Sequence, residues 1–297
     1  MDKHEMPCYT VAVTFRPKGC YMMKNRILCP ALALGGGAVC FAMRLWQCLT
    51  GFEPDTGLAA SGSLPGSLLP LTLLGLAAAF FLAVRPLPKE PSGALFSTGL
   101  SPSGLWMTVL VSALLLLAAA GGLRLLQALF PLQLPSMSNR GVSLAEGIFY
   151  LLCSLSLFPA ARAAKAGGRL NANRLLVPAV CLVADLVLVY RASSVNPVLQ
   201  SYYVEILALA FLILAFYRLS SFGFRCGQLR RFCLYAMLAA VLCLTAAADS
   251  LYLLVSGISP VDGLSGLAFW LGGGGTALGF LAVRQSVDPG MIFPART

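Results

Sequence analysis

The sequence predicts an all-α integral membrane protein, a bundle of about eight transmembrane helices with both termini in the cytoplasm. Three observations carry this prediction. First, of 297 residues, 58% are hydrophobic and 11% charged, with a mean hydropathy of +0.82. A soluble domain carries about 25% charged residues, so this chain lacks the polar surface to cover itself in water and the bilayer is its solvent. Second, apolar residues gather in eight continuous runs, each close to the roughly 20 residues a helix needs to cross the hydrocarbon core. Third, Lys and Arg concentrate between alternate runs, the pattern of a chain threaded through a membrane.

The runs are 27–50, 65–84, 104–130, 143–161, 175–190, 201–217, 232–255 and 264–283. They are continuous rather than alternating, which argues for helices over strands. Lys24 and Arg26 before the first run resemble the basic region of a signal peptide. The run is too long for one and no small-x-small cleavage site follows, so it reads as an uncleaved first helix. Residues 1–22, with the single histidine His4, read as a disordered tail, and Met22 or Met23 as an alternative start. EPDTG at 53–57 and PLPKEPSG at 86–93 punctuate the second helix, GGRLNAN at 167–173 follows the fourth, and Asn196-Pro197 divides the short fifth and sixth. Residues 23–285 form one transmembrane domain, and 286–297 a cytoplasmic tail.

Orientation follows from the basic residues. All of the 21 except Arg44, Arg124, Arg140 and Arg191 fall before the first run, after an even one, or in the C-terminal tail. That side is therefore cytoplasmic, and the expected location is the plasma membrane. The net charge of +10 is explained by topology, without nucleic acid. It also predicts attraction of anionic lipid headgroups to the cytoplasmic face.

Topology then places the charges inside the runs. Arg44, Arg124, Asp185 and Asp249 lie near the outer ends of outward helices, Glu146 and Glu205 near the outer starts of inward ones, and Arg191 at the rim. They share one layer, with a predicted balance close to neutral. A charge at the centre of a spanning helix costs about 2.5–3.5 kcal/mol on insertion scales. Asp is too short to reach the headgroups as Arg does, so Asp185 and Asp249 are expected inside the bundle, paired with Arg44, Arg124 or water. Tyr150, Tyr202 and Tyr252 are three or four residues from Glu146, Glu205 and Asp249, on the same helical faces.

Two functions fit. In one, the layer is an aromatic-lined outer vestibule for a small solute, in a transporter or ligand-binding component. Asp185, Glu205 and Asp249 hold a cationic group or coupling proton; Arg44 and Arg124 hold an anionic group or balance the acids. In the other, the charges only hold helices together, in a non-catalytic sensor or assembly subunit.

Glycines at 35–37, 272–275 and 279 fit close helix packing or an unwound, substrate-facing segment. RLWQCL at 44–49 and RLLQAL at 124–129, with FLAVR at 81–85 and 280–284, suggest a parallel duplication of helix pairs. Cofactors and metals are not expected. No span holds a histidine, no C-x-x-C or phosphate-binding loop occurs, and cysteines inside apolar runs act as small hydrophobes. Gly263-Leu264-Ser265-Gly266 fits the G-x-S-G string of intramembrane serine proteases, but has no histidine partner, so no catalytic residue is assigned.

Overall fold

The computed structural model describes residues 19–51, 63–87, 91–92, 104–130, 139–166, 171–193, 199–224 and 226–286. Their helices are α1 (Gly19–Thr50), α2 (Leu64–Val84), α3 (Gly104–Leu129), α4 (Arg140–Ala166), α5 (Ala172–Ser193), α6 (Leu199–Gly223), α7 (Leu229–Ser256) and α8 (Pro260–Ser286). Each contains a stretch long and apolar enough to cross a membrane. Helices are the form these runs must take in lipid, because only a helix or a closed barrel satisfies its own backbone there.

Local signals set the ends. Pro65 opens α2, where its missing N–H costs nothing. Gly257 closes α7 with φ 71°, a left-handed cap that suits glycine. Pro30, Pro70, Pro159 and Pro178 lie within helices that continue through them. The helices expected at 175–190 and 201–217 are longer than their apolar runs. Arg174 and Arg191 are exposed near the ends of α5, so that helix reaches past the purely apolar stretch. Likewise α1 begins at Gly19, inside the stretch expected to be a tail; residues 1–18 and 287–297 lie outside the described residues.

One strand pair departs from the all-helical expectation. β1 (Pro91–Ser92) pairs antiparallel with β2 (Gly227–Gln228), outside the helices, joining the α2–α3 connection to the start of α7. Gly227 is required there: a Cβ would sit 2.2 Å from the Phe222 ring.

Neighbouring contacts give the direction of each helix. Gly36 meets Leu76, Gly121 meets Gly147, Gly223 meets Ala172 and Gly263 meets Leu254. These pairings make α1–α2, α3–α4, α5–α6 and α7–α8 antiparallel hairpins. The start of α1 and the end of α8 thus lie on one side. Helices α3 to α8 pack in sequence and close on themselves through α3–α8, with α8 also touching α6 and α4; α1 packs on α7, and α2 mainly on α1. The span of α8 is 78% buried and that of α2 only 17%, so α8 is central and α2 peripheral. Exposed Leu71, Leu74, Leu115, Leu155, Val187 and Val255 give the bundle the apolar exterior that lipid requires.

The glycines of α8 settle between the two expectations for them. The helix is continuous through Gly272–Gly275, not unwound. A Cβ at Gly272 would lie 2.7 Å from the Leu117 nitrogen, and one at Gly279 2.9 Å from Leu110. Glycine here lets α8 pack directly on the backbone of α3.

Candidate functional site

The charged residues meet at the end of the bundle where α7 turns into α8. Arg44 lies near the end of α1, which runs parallel to α7, and it is 1% exposed. Its Nε donates to Asp249 Oδ1 at 2.8 Å and its Nη1 to Gln47 Oε1 at 2.8 Å. The guanidinium lies 5.9 Å from the centroid of the Tyr203 ring, and Cys48 Sγ approaches the same Asp249 oxygen at 3.1 Å.

Arg124 on α3 repeats the pattern with another helix. Its Nη1 donates to Asp262 Oδ1 at 2.5 Å and to Gln127 Oε1 at 3.4 Å. Gln127 Nε2 donates to the same Asp262 oxygen at 3.0 Å. Arg124 Nε is also 3.0 Å from Glu146 Oε2. Among the described residues neither of those two atoms has a hydrogen-bond partner, so this is a charge contact in which the N–H does not point at the carboxylate. The R-x-x-Q spacing thus has a local reason: residues i and i+3 share a helical face, and the glutamine carbonyl steers the guanidinium toward its acid. The two settings still differ, since α1 runs parallel to α7 whereas α3 runs antiparallel to α8.

Asp262 was not among the residues expected here. It lies in the first turn of α8, where the helix dipole favours an acid. Ser259 Oγ donates to its Oδ2 at 2.5 Å. The signal was present as Ser-x-x-Asp before an apolar run, but Asp262 falls ahead of the run that begins at 264.

Asp185 and Glu205 stand apart from both arginine pairs. Asp185 on α5 is 1% exposed. Its Oδ2 accepts a hydrogen bond from Tyr150 Oη at 3.3 Å, while Oδ1 has no partner among the described residues. Tyr150 stacks on Phe269 of α8 at 4.1 Å between centroids. Glu205 is half-buried, on the α6 stripe that continues through the buried Ala208, Leu209 and Leu212. Among the described residues it has no ion pair or hydrogen bond. It lies within electrostatic reach of Arg44, Arg124, Glu146 and Asp249, and Asp185 within reach of Glu146, Arg124 and Glu205.

Three expectations require correction. Arg191 is exposed at the end of α5 and does not join the interior layer, while Asp262 does. Among the described residues the layer thus counts five carboxyl groups (Glu146, Asp185, Glu205, Asp249 and Asp262) and two guanidiniums, rather than the expected four and three. Tyr202 is half-buried, and it is Tyr203 that lies against Arg44. Tyr252 is half-buried and makes no hydrogen bond or ring contact among the described residues, whereas Tyr150 bonds the layer acid Asp185. The chain matches no protein-family model, no curated protein and no solved structure, so a functional reading has to rest on this geometry.

Proposed function

We propose that this is a small-solute membrane protein, a transporter or a ligand-binding component, whose site is the charged layer at the α7–α8 turn. The orientation that accompanies this reading puts the layer in the outer half of the plasma membrane and the arginine-rich ends in the cytoplasm, against anionic headgroups. The single observation carrying the reading is the surplus of acid. Each arginine already has a carboxylate and a glutamine, whereas the buried Asp185 and half-buried Glu205 have no ion pair among the described residues. Ionisable groups within spanning segments are expensive and mark solute or ion pathways. Asp185 also ties α5 to α4 through Tyr150, while Glu205 makes no such link among the described residues.

The locking role fits a different part of the same layer. Arg44–Asp249 and Arg124–Asp262 grip the two helices of the α7–α8 hairpin on either side of its turn. They fit the second expectation, buried charges that hold helices together, and they frame the site. The test is thermal unfolding of the purified protein against a panel of cationic, anionic, neutral and zwitterionic solutes. A saturable rise in midpoint that Asp185→Asn abolishes while remaining folded is the expected result. A panel with no saturable response from the wild type would leave only the locking role.

A further inference from the structure

We infer that a phospholipid of net negative charge docks between α4 and α5 at the arginine-rich end, with its phosphate on Arg174 and the first carbons of one acyl chain in a slot beneath. The site lies at the opposite end of the bundle from the charged layer and does not depend on the solute reading.

Residue spacing makes the slot. Ser156, Pro159, Ala160 and Ala163 stand at i, i+3, i+4 and i+7 on α4, so they share one face. Asn171, Arg174 and Leu175 stand at i, i+3 and i+4 where α5 begins. The two faces line a cavity of about 130 Å³. Proline and alanine have no long side chain, so the α4 face leaves room that Leu175 does not fill. From Ser156 to Ala163 the α4 wall is about 10 Å long at the helical rise, and it runs along the helix as an acyl chain does. The volume is close to the roughly 150 Å³ of an apolar cavity that admits benzene, so it takes about six carbons and not a headgroup.

Polarity is confined to the mouth. Ser156 gives its hydroxyl to the Cys153 carbonyl oxygen, and the Asn171 side-chain oxygen accepts the Asn173 backbone N–H. Around Pro159, Ala160 and Leu175 the floor is apolar. Arg174 is exposed at the mouth, with no ion pair or hydrogen bond among the described residues. Sequence supplies no acid to neutralise it locally: between Glu146 and Asp185 there are Arg162, Lys165, Arg169 and Arg174, and neither Asp nor Glu.

The two halves together select the occupant. A free anion would use the arginine and leave the apolar slot empty. A choline lipid would fill the slot but bring its own cation to a hairpin with four basic residues and no acid. An anionic phospholipid uses both halves. The arginine fork takes phosphate through two parallel N–H bonds, and basic pockets between spanning helices seat such headgroups. The general attraction of anionic lipid to this end thereby gains one defined seat.

The test uses the full-length protein in dodecylmaltoside, with palmitoyl-oleoyl-phosphatidylglycerol as probe. The matching phosphatidylcholine and soluble glycerol phosphate serve as controls, and native mass spectrometry reads the lipid retained. We expect saturable retention of one phosphatidylglycerol in preference to phosphatidylcholine, with no displacement by glycerol phosphate. Arg174→Gln should weaken retention about tenfold, as loss of a charged hydrogen-bond partner does. Arg231→Gln removes the same charge from an exposed position at the start of α7 and should leave retention unchanged. Ala163→Leu fills the slot without touching charge and should also weaken it. Unfolding midpoints check that each variant is folded; should Ala163→Leu not fold, the two arginine variants decide. Equal losses in Arg174→Gln and Arg231→Gln would reduce the site to diffuse attraction and overturn the inference. So would equal retention of the two lipids, no retention at all, or undiminished retention in Arg174→Gln. Displacement by glycerol phosphate, or full retention in a folded Ala163→Leu, would equally overturn it, because the chain would then lie outside the slot.

Discussion

At the scale of residues, the two arginines and the two unpaired acids make opposite predictions about stability. Arg44→Met strips Asp249 of its cation and leaves it with the Cys48 thiol. Breaking one side of a buried ion pair costs about 3–5 kcal/mol, whereas replacing both partners by apolar groups is often neutral. Arg44→Met should therefore lower the unfolding midpoint sharply, and the double variant Arg44→Met/Asp249→Leu should recover most of it. Equal losses in the single and double variants would show that the pair is not a lock. Glu205→Gln should hold or raise the midpoint, because it removes surplus negative charge and no hydrogen bond; a clear loss of stability would point to an ion pair that neutralises it. Much of this layer was legible beforehand. Depth along each helix follows from counting residues from its ends, and depth alone groups Arg44, Arg124, Glu146, Asp185, Glu205 and Asp249. What counting cannot supply is the facing helix. Spacing within α6 selects Tyr202, three residues from Glu205, but Arg44 comes from α1 and meets Tyr203. Asp262 was missed for a related reason: helices begin before their apolar runs, and an acid in a first polar turn looks like part of a connection.

At the scale of elements, α8 shows how small residues place the site. Gly272 and Gly275 lie against Ala113 and Leu117 of α3, Gly273 against Leu212 of α6, and Gly274 against Cys243 of α7. Removing side chains along the centre lets three neighbours approach, which brings Phe269 onto Tyr150 and Asp262 onto Arg124. Gly272→Ala puts a methyl 2.7 Å from the Leu117 nitrogen and 3.0 Å from the Ala113 carbonyl oxygen. Backbone cannot yield as a side chain tip does, so the helices must separate, at a cost of about 1–3 kcal/mol. Gly35→Ala and Gly75→Ala meet open space and gain helix propensity. Unfolding midpoints should therefore fall for Gly272→Ala and stay level or rise for the other two; a uniform response would mean that close approach is not what α8 glycines provide. The sequence already offered close packing for these positions, but not the partners. The β1–β2 pair was invisible to it, since two residues carry no periodicity and their pairing spans more than a hundred positions of chain.

At the scale of the whole molecule, charge is segregated by end. One end holds the buried acidic layer; the other holds exposed basic residues such as Arg162 and Arg231. The alternating helices make this a statement about topology: if the arginine-rich end is cytoplasmic, every connection on that side is cytoplasmic too. A native thiol can decide it. Cys226 lies between α6 and β2 on the basic side and is exposed, whereas the other cysteines whose side chains are described are buried or half-buried. With Cys8 and Cys20 changed to serine, a membrane-impermeant maleimide applied to intact cells should leave the protein unlabelled. Inside-out vesicles should label it, and Cys226→Ser should abolish that signal. Labelling from outside intact cells would invert the bundle, turning the acidic layer toward the cytoplasm and any solute it holds into a cytoplasmic one. The lock pairs and the glycine packing would survive that inversion, because they depend only on contacts between helices. The side from which the proposed solute would reach the layer would not, so this measurement decides on which side of the membrane that solute is met.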